Sequence, residues 1–233
     1  MKRLASLMLM CSLVPLTASA GTITVVWMGG PRVDAHYGVS PDSGGTLVHT
    51  YAGDFEITVT DPTGLSPLTQ NQKFYTFCVD LQHRAAGRSS ATIDSMADWD
   101  LLDGASSAQL ARASWVGSQY FDAGHLGSSI ERASYQIAIW ELLYERSGLF
   151  NVTNGSAYFT DVSGAGFLTV ADALVSASAA HTTVYQSLLR TADTPPYAQD
   201  FMAPNPVPDA GATLVLLGCA LTGLGALRRK FNA

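Results

Sequence analysis

The stretch Ser128–Arg146, SSIERASYQIAIWELLYER, decides the fold class. Ile130, Ala133, Ile137, Trp140 and Tyr144 recur at helical spacing. Ser128 and Glu131 have the arrangement of a capping box at its start, and Gly148 follows as a stop. This is the best helix in the chain and the most hydrophobic, yet Gln136 sits in its middle. Burying an amide without partners costs on the order of 1–3 kcal/mol, so a glutamine here needs a partner or a purpose.

Working outward, residues 105–120 read as a helix on Leu110, Ala113, Trp115 and Tyr120, and residues 168–189 as a third helical stretch. The half of the chain before them reads as strands. Residues 22–28 are β-branched and apolar, and Gly29-Gly30-Pro31 and Asp61-Pro62-Thr63-Gly64 are turn punctuation. Residues 45–51 and 55–60, separated by Ala52-Gly53-Asp54, suggest a hairpin. Residues 74–81 read as a strand carrying Cys78, and residues 198–202 as a last strand. The expected fold is α+β: an N-terminal β-rich sheet or sandwich with a helical portion packed beside it.

Both ends read as processing segments. Residues 1–20 have basic Lys2 and Arg3, an apolar stretch from Leu4 to Leu16, and the small-residue end Ala18-Ser19-Ala20, the three parts of a secretory signal peptide. Residues 203–233 form a tail: a short motif over 207–213 that begins Val207-Pro208-Asp209, an apolar run over 214–227, and basic Arg228-Arg229-Lys230. The run is expected to form a transmembrane helix with its basic end on the cytoplasmic side. One domain, 21–202, lies between. Its hydrophobic content suffices for a core, and the acidic balance of the chain, formal charge −6, excludes a nucleic-acid-binding footprint. Of three cysteines, Cys11 falls in the signal peptide and Cys219 in the tail, which leaves Cys78 without an intramolecular disulfide partner.

The tail resembles the PEP-CTERM class of sorting signals, in its Val-Pro-Asp variant, on Val207-Pro208-Asp209, the apolar run and the basic end. It departs from the common form in having Asp209 where Glu is usual and Ala210 where Pro is usual. The resemblance implies an exosortase-type sorting enzyme as partner, transient anchoring in the bacterial inner membrane, and a destination at the cell surface, outer envelope or extracellular matrix. Ala113-Ser114-Trp115, Tyr120, Gln136 to Glu141 and Ala198 to Phe201 also resemble an ectodomain recurrent among proteins with such tails.

A second resemblance concerns chemistry. Tyr75-Thr76-Phe77-Cys78-Val79-Asp80 and Tyr135-Gln136-Ile137-Ala138-Ile139-Trp140 are similar to the two motifs of the thioester domains of bacterial surface adhesins, a family of Gram-positive cell walls. That resemblance implies a cross-link between the Cys78 sulfur and the Gln136 side-chain carbonyl, shielded by Phe77, Tyr135 and Trp140. An amine, typically lysine, on a protein or polysaccharide target would then attack it. Such a module acts once and is not a turnover enzyme, and it needs no cofactor and no metal. The alternative is a non-covalent structural or carbohydrate-binding matrix protein with an inert Cys78, using Trp27, Trp99, Trp115 and Trp140 as a platform.

Weaker signals point elsewhere. A cysteine hydrolase needs a base near Cys78; His83 is nearest, with His125 and His181 further along, and the spacing matches no known nucleophile motif. Asp94, Asp98, Asp100 and Asp103 do not have the spacing of a calcium loop and read as a solvated loop. Asn151-Val152-Thr153 and Asn154-Gly155-Ser156 read as an exposed turn.

Overall fold

Residues Gly21–Trp27 alternate buried Gly21, Ile23 and Val25 with half-exposed Thr22 and Thr24, the two-residue period of a strand with one face in a core. They form β1 of a computed structural model that describes residues 20–38, 46–81, 87–95, 105–122, 127–184, 186–191 and 199–204. The elements that follow are β2 (Arg32–Tyr37), β3 (Thr46–Tyr51), β4 (Phe55–Asp61), β5 (Lys73–Thr76), β6 (Arg88–Ser95), α1 (Ser107–Asp122), α2 (Ser129–Tyr144), β7 (Ala157–Asp161), α3 (Phe167–Ala177), β8 (Gln186–Thr191) and β9 (Phe201–Pro204). The strands make two antiparallel sheets. One has six strands in the order β5-β4-β1-β6-β8-β9, and the other three in the order β3-β2-β7. Their inward positions, Val33 and Ala35, Phe55, Ile57 and Val59, Ala157 and Phe159, join one core with the helices. The architecture is α+β, as the sequence suggests.

The partition between the sheets differs from expectation. β3 and β4 are not a hairpin: β3 pairs with β2, and β4 pairs with β1. The segments β1-to-β2 and β3-to-β4 instead cross between the sheets side by side, joined by Met28 N–H to Asp54 O at 3.1 Å and Ala52 N–H to Pro31 O at 3.0 Å. A Cβ on Gly30 would lie 1.8 Å from the Ala52 carbonyl oxygen, so only glycine lets the two backbones meet. Asp54 anchors the crossing from below. It is wholly buried, accepts a hydrogen bond from the Tyr120 hydroxyl at 2.8 Å, and lies 3.1 Å from Arg132 Nε. Burial raises its pKa, and Tyr120 and Arg132 oppose that rise.

Three further differences have local causes. The expected helix over 168–189 ends early, because Arg112 donates to the Val175 carbonyl at 2.8 Å and to Ser178 Oγ at 3.0 Å, taking up the groups of the last turn. The chain then returns as β8, which pairs with β6 and β9. The strand expected over 74–81 stops at Thr76. Asp94 belongs to β6, opposite Leu188, and not to a loop; Asp98, Asp100 and Asp103 lie outside the described residues. β2, β6 and β7 have no counterpart in the sequence reading, and β9 runs to Pro204, two residues beyond the expected end of the domain.

The sequence pattern for α2 holds, with one change of character. Ser128 Oγ caps it by accepting the Glu131 N–H. From Gln136 to Tyr144 every residue is buried. A helix enclosed all round lies at the centre of a fold. α2 packs between α1 and α3 and touches β7, while α1 lies against β5, β8 and β9. Full burial of Ile137, Ile139, Trp140, Leu142 and Leu143 contributes about 1.5–3 kcal/mol per side chain. The enclosure also forces Gln136, Glu141 and Glu145 inside. Among the described residues no helix is long and apolar enough to cross a membrane. The segment expected to be a signal peptide, except Ala20, and the tail from residue 205, with Val207, Pro208 and Asp209, lie outside the described residues.

Candidate functional site

Beyond β5 the chain runs on through Phe77 and Cys78 to a bend at Leu81, held from two sides. On one side is β9. Met202 N–H donates to Phe77 O at 3.1 Å, Val79 N–H donates to Asp200 O at 3.0 Å, and Cys78 forms a single bridge with Phe201. Thr76 Oγ1 donates to Met202 O, and Gln199 Nε2 donates to Asp80 O at 3.1 Å. On the other side is α2, which contributes two residues eight positions apart: Gln136 meets Cys78, and the Tyr144 hydroxyl accepts the Leu81 N–H at 3.1 Å.

The Gln136 amide is matched to the backbone of Cys78. Its Oε1 accepts the Cys78 N–H at 3.1 Å, and its Nε2 donates to the Cys78 carbonyl at 2.7 Å. The Cys78 Sγ lies 3.5 Å from the same Oε1. Both residues are buried, Cys78 to 3 % exposure and Gln136 completely. The thiol is free, and its pKa is held well above the ordinary thiol range, first by burial and then by the charge of Asp80. The indole N–H of Trp140 acts the other way, lowering it.

Aromatic rings close the site. Phe77 is fully buried and stacks on Tyr135 with ring centroids 6.0 Å apart. Tyr120 meets both, edge-on to Phe77 at 4.7 Å and tilted against Tyr135 at 5.3 Å. Trp140 stacks on Phe159 at 6.3 Å. The structure therefore brings Cys78, Gln136, Phe77 and Tyr135 together, with Trp140 one turn beyond Gln136 on α2. Sequence reasoning missed Tyr120, Tyr144 and Met202 as parts of the site. In the sequence Tyr120 reads as an apolar helix position and as part of the ectodomain resemblance, and the residues around Met202 as a last strand and part of that same resemblance; neither signal points to Cys78.

The arrangement has definite chemical capacities. A backbone N–H on an amide oxygen polarises the carbonyl and is placed to stabilise negative charge there, as an oxyanion-hole donor does. A carbonyl on the amide nitrogen fixes the plane of the amide. A sulfur beside the same carbonyl, on rigid elements in a water-poor core, has the proximity that acyl transfer between poorly reactive groups requires.

Other candidate residues are placed elsewhere. His181 stacks on Trp115 at 4.1 Å, His36 stacks on Tyr158, and His49 bonds Asp34 at 2.7 Å. His83 and His125 lie outside the described residues. Trp140 is in the core, Trp115 lies against His181, and Trp27 packs on Phe55, so these three do not form one platform; Trp99 lies outside the described residues. Asn151 caps its own turn through the Thr153 N–H at 3.0 Å. Among the described residues no group of three His, Cys, Asp or Glu side chains is arranged to hold a metal ion.

No curated protein and no solved structure matches the chain. A family model does match its C-terminal end: residues 206–231 fit the VPDSG-CTERM motif, with Ala210 standing where the motif's name has Ser, and this sorting signal marks the chain as an exported protein sorted to the cell surface.

Proposed function

We propose that this protein is a surface or matrix adhesion module whose Cys78 and Gln136 join in an internal thioester. The observation that carries the reading is the triple contact of the Gln136 amide with Cys78: oxygen to N–H, nitrogen to carbonyl, and oxygen beside sulfur. The sulfur attacks the amide carbon, a C–S bond forms, the C–N bond breaks, and ammonia leaves with the thiol proton. Phe77, Tyr120 and Tyr135 slow hydrolysis by keeping water out. An amine on a target protein or polysaccharide then attacks the same carbon. It forms an amide with the former Gln136 side chain and releases Cys78 as a thiol, so each molecule acts once. An exosortase-type enzyme is the proposed partner that processes the tail, with the apolar run as a transient inner-membrane anchor.

A second reading, a non-covalent matrix or carbohydrate-binding protein, is favoured by one observation. The Gln136 amide is already satisfied by the Cys78 backbone, so pairing alone explains its burial. Peptide mass spectrometry on the full chain, beside Gln136→Ala, separates the two. The thioester reading expects a Cys78–Gln136 cross-link one ammonia lighter than the sequence, and one equivalent of methylamine taken up by the wild type alone. A full sequence mass with an alkylatable thiol in the unfolded protein refutes it and leaves the non-covalent reading.

A further inference from the structure

Trp140 carries a polar atom for which the resting site has no use. Its side chain is 1 % exposed, and its Nε1–H is buried with no acceptor at hydrogen-bonding geometry. A buried donor left unpaired costs on the order of 1–3 kcal/mol, and such groups are rare in folded proteins. Phe at this position would keep the stack on Phe159 and avoid that cost. The position on α2 supplies a reason for the indole. Trp140 follows Gln136 by four residues, so the two side chains share one face of the helix, the face on which Gln136 meets Cys78. A neutral thiol is a weak acceptor, whereas a thiolate is a strong one.

Resting on the thioester reading above, we infer that the Trp140 indole N–H is a side-chain hydrogen-bond donor that stabilises the Cys78 thiolate, once before it attacks Gln136 and again as it is expelled by an amine. In the first step the sulfur loses its proton and bonds to the amide carbon, and ammonia departs. In the second, the amine nitrogen bonds to that carbon, the C–S bond breaks with its electron pair returning to sulfur, and the proton lost by the amine ends on the released thiol. Sulfur is negative before its bond to carbon forms in the first step and after that bond breaks in the second, and the donor answers the charge at both points. Two other titratable groups act on the sulfur by their charge: Asp80, which opposes the thiolate, and Tyr144. The Asp80 backbone N–H also acts on the sulfur as a donor, and the Tyr144 hydroxyl accepts from Leu81, so the indole is a side-chain donor that adds to a backbone one. The thiol's pKa agrees with this placement, since Trp140 pulls it down against the effect of burial.

The test uses the full chain in detergent as wild type, Trp140→Phe and Phe159→Leu. The last variant disturbs the ring stack but keeps the N–H. Methylamine is the probe, thiol release is followed in time, and the freed thiol is titrated by its thiolate absorbance. Trp140→Phe is expected to slow thiol release roughly tenfold, the lower end for a hydrogen bond to a charged group, and to move the titration to higher pH. Phe159→Leu is expected to do neither. Rates within twofold and an unchanged titration in Trp140→Phe overturn the assignment while leaving the thioester intact. Should the wild type carry no thioester, the titration alone decides: a shift confined to Trp140→Phe keeps the indole as thiolate donor, and no shift removes it. Should Trp140→Phe not fold, the indole ¹⁵N–H resonance of the wild type takes its place. That resonance is assigned by substituting the other tryptophans, and it must move when the thiol ionises; a fixed resonance refutes the contact.

Discussion

Gln136 and Glu141 lie five residues apart on α2, and both are completely buried. The fold answers them in opposite ways. Gln136 has a backbone partner for its oxygen and for its nitrogen. Neither carboxyl oxygen of Glu141 has a hydrogen-bond partner. Its pKa is instead pushed up to about 9, first by burial and then by the charge of Glu145, so it is neutral at pH 7. One turn on from Glu141, Glu145 shows a third answer. Burial would raise it too, but it accepts from the Ser147 N–H and Oγ–H, the Ser156 N–H and Oγ–H, and the Ala157 N–H, and its pKa falls below the usual range. A Cβ on Gly155 would lie 2.2 Å from Glu145 Oε2, so this loop closes on the carboxylate only with glycine there. A polar group inside the core is therefore kept either by enough donors or by giving up its charge. Gln136 is the group whose partner carries reactive chemistry.

The largest effect that would break this comparison is Gln136→Ala. It strips partners from both the Cys78 N–H and C=O inside the core, each worth about 1–3 kcal/mol when left unpaired. Urea denaturation is expected to show a loss of about 3–5 kcal/mol. Cys78→Ala keeps both backbone pairings with Gln136 and is expected to cost about 1–2 kcal/mol for a small buried apolar group. Equal losses for the two variants would mean that the amide–backbone pairing is not what holds this segment.

Glu141→Gln is expected to act with the opposite sign, and only above acid pH. The folded pKa of about 9 lies above the ordinary 4.5. A carboxyl raised in this way favours the folded state fully below pH 4.5, and that advantage is lost progressively as pH climbs towards 9. The wild type should therefore lose stability between pH 5 and pH 8. The neutral isostere should be flatter over that range and more stable at pH 8 by roughly 2–4 kcal/mol. Thermal melts at the two pH values check this. A wild type and variant with parallel pH profiles would show that Glu141 is ionised and paired after all.

These two residues also mark how far the sequence could be read. The helical spacing from Ile130 to Tyr144, the Ser128 cap and the glutamine within an apolar helix are local patterns, whereas the pairing of Gln136 with Cys78 came from a resemblance to a family. Each local pattern needs only a few neighbouring residues to be seen. Glu141 was not legible, because nothing local distinguishes a charged residue on the open face of a helix from one on a helix enclosed all round. The split of β3 and β4 between sheets was hidden for the same kind of reason. Ala52-Gly53-Asp54 has the composition of a hairpin turn, and what redirects it is Asp54 bound to Tyr120 and Arg132, more than sixty residues away in sequence. Residues 168–189 kept a helical composition to the end, but an arginine from another helix, Arg112, terminates the helix. The missing information was in each case the identity of a distant partner.

Tyr144→Phe sharpens the comparison with the smallest expected effect. Tyr144 is the second fastening of α2 to the segment that carries Cys78, and it differs from Gln136 in making one hydrogen bond there where Gln136 makes two. Phenylalanine keeps the ring and its edge contact with Tyr37, whose centroid is 5.2 Å away. The change therefore removes little but the acceptor for the Leu81 N–H. One buried donor left unpaired predicts a loss of about 1–2 kcal/mol. The loss should be local: the Val79 N–H still bonds Asp200 O, and the Gln136 pairing at Cys78 is untouched. Hydrogen exchange is expected to quicken at Leu81 while Cys78 and Val79 stay protected. If all three amides quicken together, the segment opens as one unit, and Gln136 alone does not hold the sulfur beside its carbonyl. If only Leu81 responds, the two fastenings are independent, and the geometry at Cys78 belongs to the Gln136 amide.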